Sequence, residues 1–433
     1  MAKGPEIAMG LSIFASWAKT IGLRLAPEID NTLCRLKITI GGEAATSYKM
    51  DNGQAGDSVE VPAYFIAEWI ARNWWPLFYE PQKSEVDDAG FRSRHWLGTA
   101  RNGFALPDMW LVPSGDEITT EAIATRIDRC RVNFTANIER RLSIPSVMEG
   151  AEKFIRTVVE RLNAAGLTTT DLHDAWGLVS ATEPDERSYC ELIGAIGLCP
   201  YEDRPEIDKE IDLAEERLGL KVVRQLCEAS RPDTFLSLSA VVRDAFEKLS
   251  TSEALDFSPL PERPLAPTRP AWELGKRAAF LVRQKLGIIA NAEAGETAFR
   301  RLGIKYEAAG SLRANDEDVD VQGAVDRRQS RVRMALVRRR DSASLRFAVA
   351  RAIYLGWGTE DNGASLMTNA HTREQQASRA FGAELLAPIE FIKSAAGRGP
   401  VSTFRVKAIA DELGVSPQMV TYQAVNNRIP LTL

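Results

Sequence analysis

Arg346-Phe347-Ala348-Val349-Ala350-Arg351-Ala352-Ile353-Tyr354-Leu355 is the stretch on which the C-terminal part of this 433-residue chain turns. Phe347, Ala350, Ile353 and Trp357 recur at helical spacing, so the segment predicts a helix with an apolar stripe. Upstream, Arg331-Val332-Arg333-Met334-Ala335-Leu336-Val337 alternates charged and apolar side chains, the period-2 pattern of a half-buried strand. The polar turn Asp341-Ser342-Ala343-Ser344 joins the two. Downstream, residues 372–388 place Phe381, Leu385 and Leu386 on a second helix that Pro388 ends.

The order strand, turn, helix, helix, together with Arg346, Phe347, Ala350, Phe381, Leu385, Leu386 and Pro388, resembles the ImmA/IrrE family of zinc metallopeptidases and regulators. The family's first helix reads Arg-Phe-x-x-Ala-His-Glu-x-x-His, and its second helix supplies the third metal ligand. The resemblance covers about a third of the chain, roughly residues 296–433. It implies a zincin-like α+β domain.

Arg351, Ala352 and Leu355 stand at the three chemical positions. Two His one turn apart hold zinc on one helix face, and the Glu between them is the general base for the metal-bound water. A guanidinium does not ligate a cation, Ala has no proton to move and Leu offers only hydrocarbon. The second helix has Glu374 as its only nearby carboxylate. The expectation is therefore no catalytic residue and no cofactor. Two readings of the helix stand side by side: a retained pseudo-active-site groove lined by Arg346, Arg351, Ala352, Tyr354, Leu355, Glu374, Gln375 and Gln376, or an ordinary core helix whose Arg351 pairs with a carboxylate. A minority reading keeps zinc at His371 and Glu374, one turn apart.

Composition sets the outer bounds. Apolar residues make up 45% and charged residues 26%, ordinary for a globular chain that can bury two or three cores. The net charge of −5 argues against a polyanion binder acting through the whole surface. Cys34, Cys130, Cys190, Cys199 and Cys227 are scattered and odd in number, which fits a reducing cytoplasm better than a disulfide framework. No signal-peptide pattern or long apolar run is present, so no membrane partner is expected. No glycine-rich phosphate loop, dinucleotide fingerprint or nucleophile elbow is present either.

The fold class expected is α+β and multidomain. Residues 1–118 read as a Trp-rich α/β domain. Cys34, Leu36, Ile38 and Ile40 alternate as a strand, residues 58–61 form another, Pro62 begins a helix, and residues 109–112 are a further strand. Residues 119–257 read as a helical domain, with apolar spacing in 151–162, 211–226 and 236–249. The proline-rich stretch 258–270 reads as the linker to the degenerate peptidase-like domain, 271–398. The tail, 399–433, resembles a helix-turn-helix: Ala410, Gly414 and Val420 fall at the small, turn and buried positions, and Ser416 caps the second helix. Gln418, Thr421, Gln423, Asn426, Asn427 and Arg428 are then the candidate DNA contacts, set against a purely structural role for the tail.

Two further clusters carry paired readings. Adjacent Trp74 and Trp75 point different ways from a helix, so either one serves as an interaction anchor or both fill the core. Arg327, Arg328, Arg331, Arg333 and Arg338 to Arg340 form a basic cluster, read as phosphate contact or as a solvated strand face balanced by Asp316 to Asp318 and Asp320. The functional expectation is an inactive ImmA/IrrE-like pseudo-peptidase that binds a protein or peptide partner, with nucleic acid as a weaker candidate. The family resemblance implies a bacterial stress, mobile-element or phage-defence setting. The alternatives are a metallopeptidase with a relocated metal and a DNA-binding transcriptional regulator.

Overall fold

The computed structural model describes residues 10–18, 26–83, 88–127, 130–262, 269–305, 310–312, 320–337, 341–358, 363–397 and 399–432. The chain is mixed α and β and divides into two compact units between Arg204 and Pro205.

In the first unit, strand Leu33–Ile40 pairs antiparallel with Leu11–Trp17 on one side and with Val59–Pro62 on the other. Its period-2 pattern sends Cys34, Leu36, Ile38 and Ile40 into the core, and Pro62 precedes the helix Ala63–Arg72. The long helix Ile144–Ala164 buries Val147, Ala151, Phe154, Ile155, Val158 and Leu162 along one stripe. Both Trp74 and Trp75 lie in this core, each 4% exposed. Trp74 meets Trp176 edge-on with ring centroids 5.2 Å apart, and the Trp75 indole N–H donates to the Tyr201 hydroxyl at 2.8 Å. Of the two readings of this pair, the surface anchor is set aside and both rings fill the core: they point different ways, and both directions are covered.

The expected helical character of 119–257 is corrected at its start. Glu117–Ile123 and Ile138–Ser143 are strands that form an antiparallel sheet with Asp108–Ser114. Ile118, Thr120 and Ala122 alternate inward, a strand signal that the neighbouring helical periodicity masked. The helices expected farther on are present as Pro205–Leu218, Leu220–Ala229 and Phe235–Thr251. Gly219, at φ +82°, breaks the first from the second.

These three helices belong to the second unit. Helix Phe235–Thr251 packs on the hairpin Val321–Arg328 and Arg331–Val337, and Leu255–Asp256 adds a short antiparallel strand beside Arg331. The Trp357 indole N–H donates to the Pro261 carbonyl at 2.7 Å. The boundary expected at the proline-rich stretch is therefore moved upstream: proline stops a helix, but it does not stop the flanking apolar residues Phe257 and Leu260 from joining a core. Residues 263–268 lie outside the described residues, as do Arg338 to Arg340 and Asp316 to Asp318.

The second unit is built on an antiparallel sheet in the order Leu255–Asp256, Arg331–Val337, Val321–Arg328, Gly363–Thr368, with Gly310–Leu312 parallel to Arg331–Val337. Helix Ser342–Gly358 crosses this sheet, and helix Arg373–Leu386 is packed between it and helix Ala271–Lys285. Val349, Ile353, Phe381 and Leu385 are fully buried at the meeting point, each worth roughly 1.5–3 kcal/mol of transfer free energy. The tail is a helix-turn-helix, Thr403–Leu413 and Pro417–Asn426, closed by a two-residue parallel ladder of Val401–Ser402 with Leu431–Thr432. Gly414 takes φ +62° at the turn, and the Ser416 hydroxyl accepts from the Met419 N–H. No described helix is long and apolar enough to cross a membrane.

Candidate functional site

The site suggested by the sequence lies where helices Ser342–Gly358 and Arg373–Leu386 meet the strand Gly363–Thr368. Arg351 is 1% exposed and fans its guanidinium across this junction. Its Nε donates to Ser378 Oγ at 3.2 Å and its Nη1 to Gln322 Oε1 at 2.7 Å. Its Nη2 donates to the Thr368 carbonyl at 2.7 Å and to Gln375 Oε1 at 2.8 Å. A buried guanidinium is tolerated only when its N–H groups find acceptors, and these four come from helix Arg373–Leu386 and two strands. The cation stands at the position where the resemblance would put a zinc ligand.

Gln375 extends the seal. Its side-chain nitrogen donates to the Leu366 carbonyl at 2.8 Å, and its oxygen also accepts from the Thr368 N–H at 3.0 Å. Gln225, from helix Leu220–Ala229, accepts from the Leu366 N–H at 2.7 Å and donates to Glu374 at 3.3 Å. Strand Gly363–Thr368 is the end strand of its sheet among the described residues, so the outward N–H and C=O groups of Leu366 and Thr368 would otherwise be open to an added strand. Gln225, Gln375 and Arg351 take all four. An extended peptide has no backbone partner left there.

The expectation of an open groove is corrected by burial. Arg351, Ala352, Tyr354 and Leu355 are each at or below 1% exposure, and Gln375 is also buried. The Tyr354 ring lies 5.4 Å from that of Phe381. Glu374 and Gln376 are partly exposed, and Gln376 donates to the His371 carbonyl at 2.7 Å. Arg346 points to the tail, where its Nη1 donates to the carbonyls of Leu413 and Gly414 at 3.1 and 2.8 Å.

His371 lies in the second unit, whereas His95 and His173 lie in the first. Among the described residues no group of three or more His, Cys, Asp or Glu side chains is placed to share a metal ion. In the tail, Gln423 is buried and donates to Glu384 Oε2 at 3.2 Å and to the Ala387 carbonyl at 3.0 Å, and Asn427 accepts from Lys276 at 3.1 Å. These two are therefore corrected from DNA contacts to packing groups. Gln418, Asn426 and Arg428 are exposed and Thr421 is half-buried; the Gln418 amide donates to the Tyr422 hydroxyl at 3.0 Å.

No family model, curated protein or solved structure matches the chain. The site therefore has to be read from its own geometry.

Two buried ionic groups escaped sequence reasoning. Arg283 donates to the Glu384 carbonyl at 2.6 Å and to its carboxylate at 3.1 Å, tying helix Ala271–Lys285 to helix Arg373–Leu386. Burial pushes the Glu384 carboxyl up, against the opposing pull of Arg283. In the first unit, Glu80 accepts from Arg94 at 2.6 and 2.7 Å, and His95 lies between Glu80 Oε2 at 3.2 Å and the Leu111 carbonyl at 2.8 Å. Burial alone would raise the Glu80 carboxyl, but the hydrogen bonds from His95 and Arg94 and the charge of Lys83 outweigh it and hold the group at about 2. Neither cluster has a sequence signal, because its members have no fixed spacing.

Proposed function

We propose that this chain is a non-catalytic regulatory module that binds a protein partner, built on a pseudo-peptidase core of the ImmA/IrrE-like kind and working in a bacterial cytoplasm, in a stress, mobile-element or phage-defence setting. The observation that carries the reading is Arg351: a buried guanidinium hydrogen-bonded to Ser378, Gln322, Thr368 and Gln375 stands at the position the resemblance assigns to a metal ligand. The capping of the strand edge at Leu366 and Thr368 supports it further, since peptide cleavage needs the substrate held in register beside the reacting groups. With the inner groove closed, the partner surface this reading uses is the outer face of helix Ala271–Lys285. Trp272 and Phe280 lie two turns apart there, each about half exposed, with the Lys276 ammonium 5.1 Å from the Trp272 ring.

The test has two readouts. Elemental analysis after dialysis against a mild chelator is expected to find no retained zinc; stoichiometric zinc lost on His371→Ala would overturn the reading in favour of a relocated metal site. Crosslinking mass spectrometry of the full chain in cells is expected to recover a protein set that the Trp272→Ala/Phe280→Ala double variant loses, and an unchanged set would overturn this choice of surface.

A second reading, as a DNA-binding transcriptional regulator, has one observation in its favour: the Ser416-capped helix turns Gln418, Thr421 and Asn426 to its outer side. Salt-dependent duplex binding lost on Gln418→Ala and Arg428→Ala would support it. Equal binding by a chain ending before Val401 would remove it.

A further inference from the structure

A cleft of about 700 Å³ opens within the second unit, away from the Arg351 junction. One wall is the end of helix Pro205–Leu218 and the last turns of helix Phe235–Thr251. The other is the tip of the hairpin formed by Val321–Arg328 and Arg331–Val337, with the first residues of strand Gly363–Thr368. Its volume falls in the range of small-molecule sites.

The chemistry of the lining is lopsided. Arg217, Arg327, Arg328 and Arg333 face Asp326 as the one carboxylate among the lining residues. Two of the arginines are held in place by backbone carbonyls. Arg327 donates to the Trp357 carbonyl at 2.7 Å and to the Gln329 carbonyl at 2.9 Å, and Arg333 donates to the Ser250 carbonyl at 3.3 Å. The two-residue turn that presents the Gln329 carbonyl puts Gln329 itself at φ +56°. Guanidinium groups fixed in this way have already lost much of the rotamer freedom that binding would cost, and their planar forks match phosphate oxygens. Arg328 is exposed, its side chain 86% accessible and 3.2 Å from Asp326. Phe246, Leu218 and Leu249 add an apolar patch to the helical wall.

We infer that this cleft binds a free nucleotide, its phosphates on the arginines and its base against Phe246, as an effector of the module rather than a substrate. Several cations converging on one cleft repel one another until an anion with more than one negative charge arrives, and an aromatic ring beside them suits a flat base better than a bare phosphate. The binding uses none of the residues at the Arg351 junction, while the effector role rests on the module reading.

Isothermal titration of the full chain with ATP, GTP, inorganic triphosphate and a single-stranded DNA decamer tests it. One nucleoside triphosphate is expected to bind once per chain with a Kd below about 100 μM. Arg217→Ala and Arg328→Ala, both at exposed positions, should each weaken it at least tenfold without altering the circular dichroism spectrum. Phe246→Leu should weaken the nucleotide but not inorganic triphosphate. Absence of saturable binding by either nucleotide, or binding indifferent to both arginine variants, would overturn the proposal. Triphosphate binding as tightly as the nucleotide would reduce the cleft to an anion site, and a decamer that binds tighter than either nucleotide would reassign it to a nucleic-acid strand; both outcomes reject the nucleotide.

Discussion

Glu80 in the first unit and Arg351 in the second are both buried charged groups, but the partners that satisfy them differ in chemistry. In the first unit Arg94 meets Glu80, with His95 and Lys83 close by, so the cluster is held by a carboxylate that must stay ionised. In the second unit four of the hydrogen bonds from Arg351 go to a hydroxyl, two carboxamides and a backbone carbonyl, none of which titrates between pH 2 and 12. The difference teaches that one cluster answers to pH and the other to shape: the first depends on charge balance, the second on donors and acceptors held at fixed positions.

The largest effect is expected from Arg351→Ala, which leaves the acceptors on Gln322, Thr368, Gln375 and Ser378 without their donor and opens a void. The second unit should lose about 3–5 kcal/mol. Hydrogen exchange read by mass spectrometry would show lost protection in 342–386 with 33–78 unchanged; equal loss in both units would break the comparison. Arg351→Lys should recover only part of the loss, because an ammonium cannot reach four acceptors in the plane of the guanidinium fork.

Glu80→Gln should come next, costing the first unit about 2–4 kcal/mol by stranding Arg94 and His95 beside a neutral amide. A smaller loss than that of Glu68→Gln, a surface partner of Arg72, would show that the buried cluster adds nothing.

The pH dependence sharpens the contrast. Glu80 is held at about 2 against an ordinary value of 4.5, so its contribution is fully present above pH 4.5 and is lost as pH falls from there through 2. The shift corresponds to about 3 kcal/mol, all of it in the first unit. Urea midpoints followed between pH 5 and 2 should fall more steeply for the wild type than for Glu80→Gln. Identical slopes would mean that other carboxylates carry the acid response.

Gln225→Ala is expected to have the smallest effect. It unseals one N–H of the end strand, at Leu366, for about 1 kcal/mol. Faster exchange of that single amide, with the Thr368 amide still protected by Gln375, would show that the edge is closed by two independent side chains. If both amides open together, the seal is one cooperative unit.

The strand Leu33–Ile40 and the helices Ser342–Gly358 and Arg373–Leu386 were legible from the sequence because their signal is local: apolar residues repeat at the period of the element that buries them. The strands Glu117–Ile123 and Ile138–Ser143 were not, since they are short and sit beside a long helical pattern. The absence of His and Glu at Arg351, Ala352 and Leu355 could likewise be read directly, because it concerns residue identity alone. What Arg351 meets could not. Arg351 finds Gln322 across 29 residues and Thr368 across 17, and Leu366 finds Gln225 across 141. The division at Arg204, the burial of Trp74, Trp75 and Gln423, and the meeting of Arg217 with Arg333 in one cleft are of the same kind. Periodicity along the chain decides which face of an element turns inward; which distant groups then meet there is decided only when the elements pack, because a hydrogen bond depends on distance in space and not on separation in sequence.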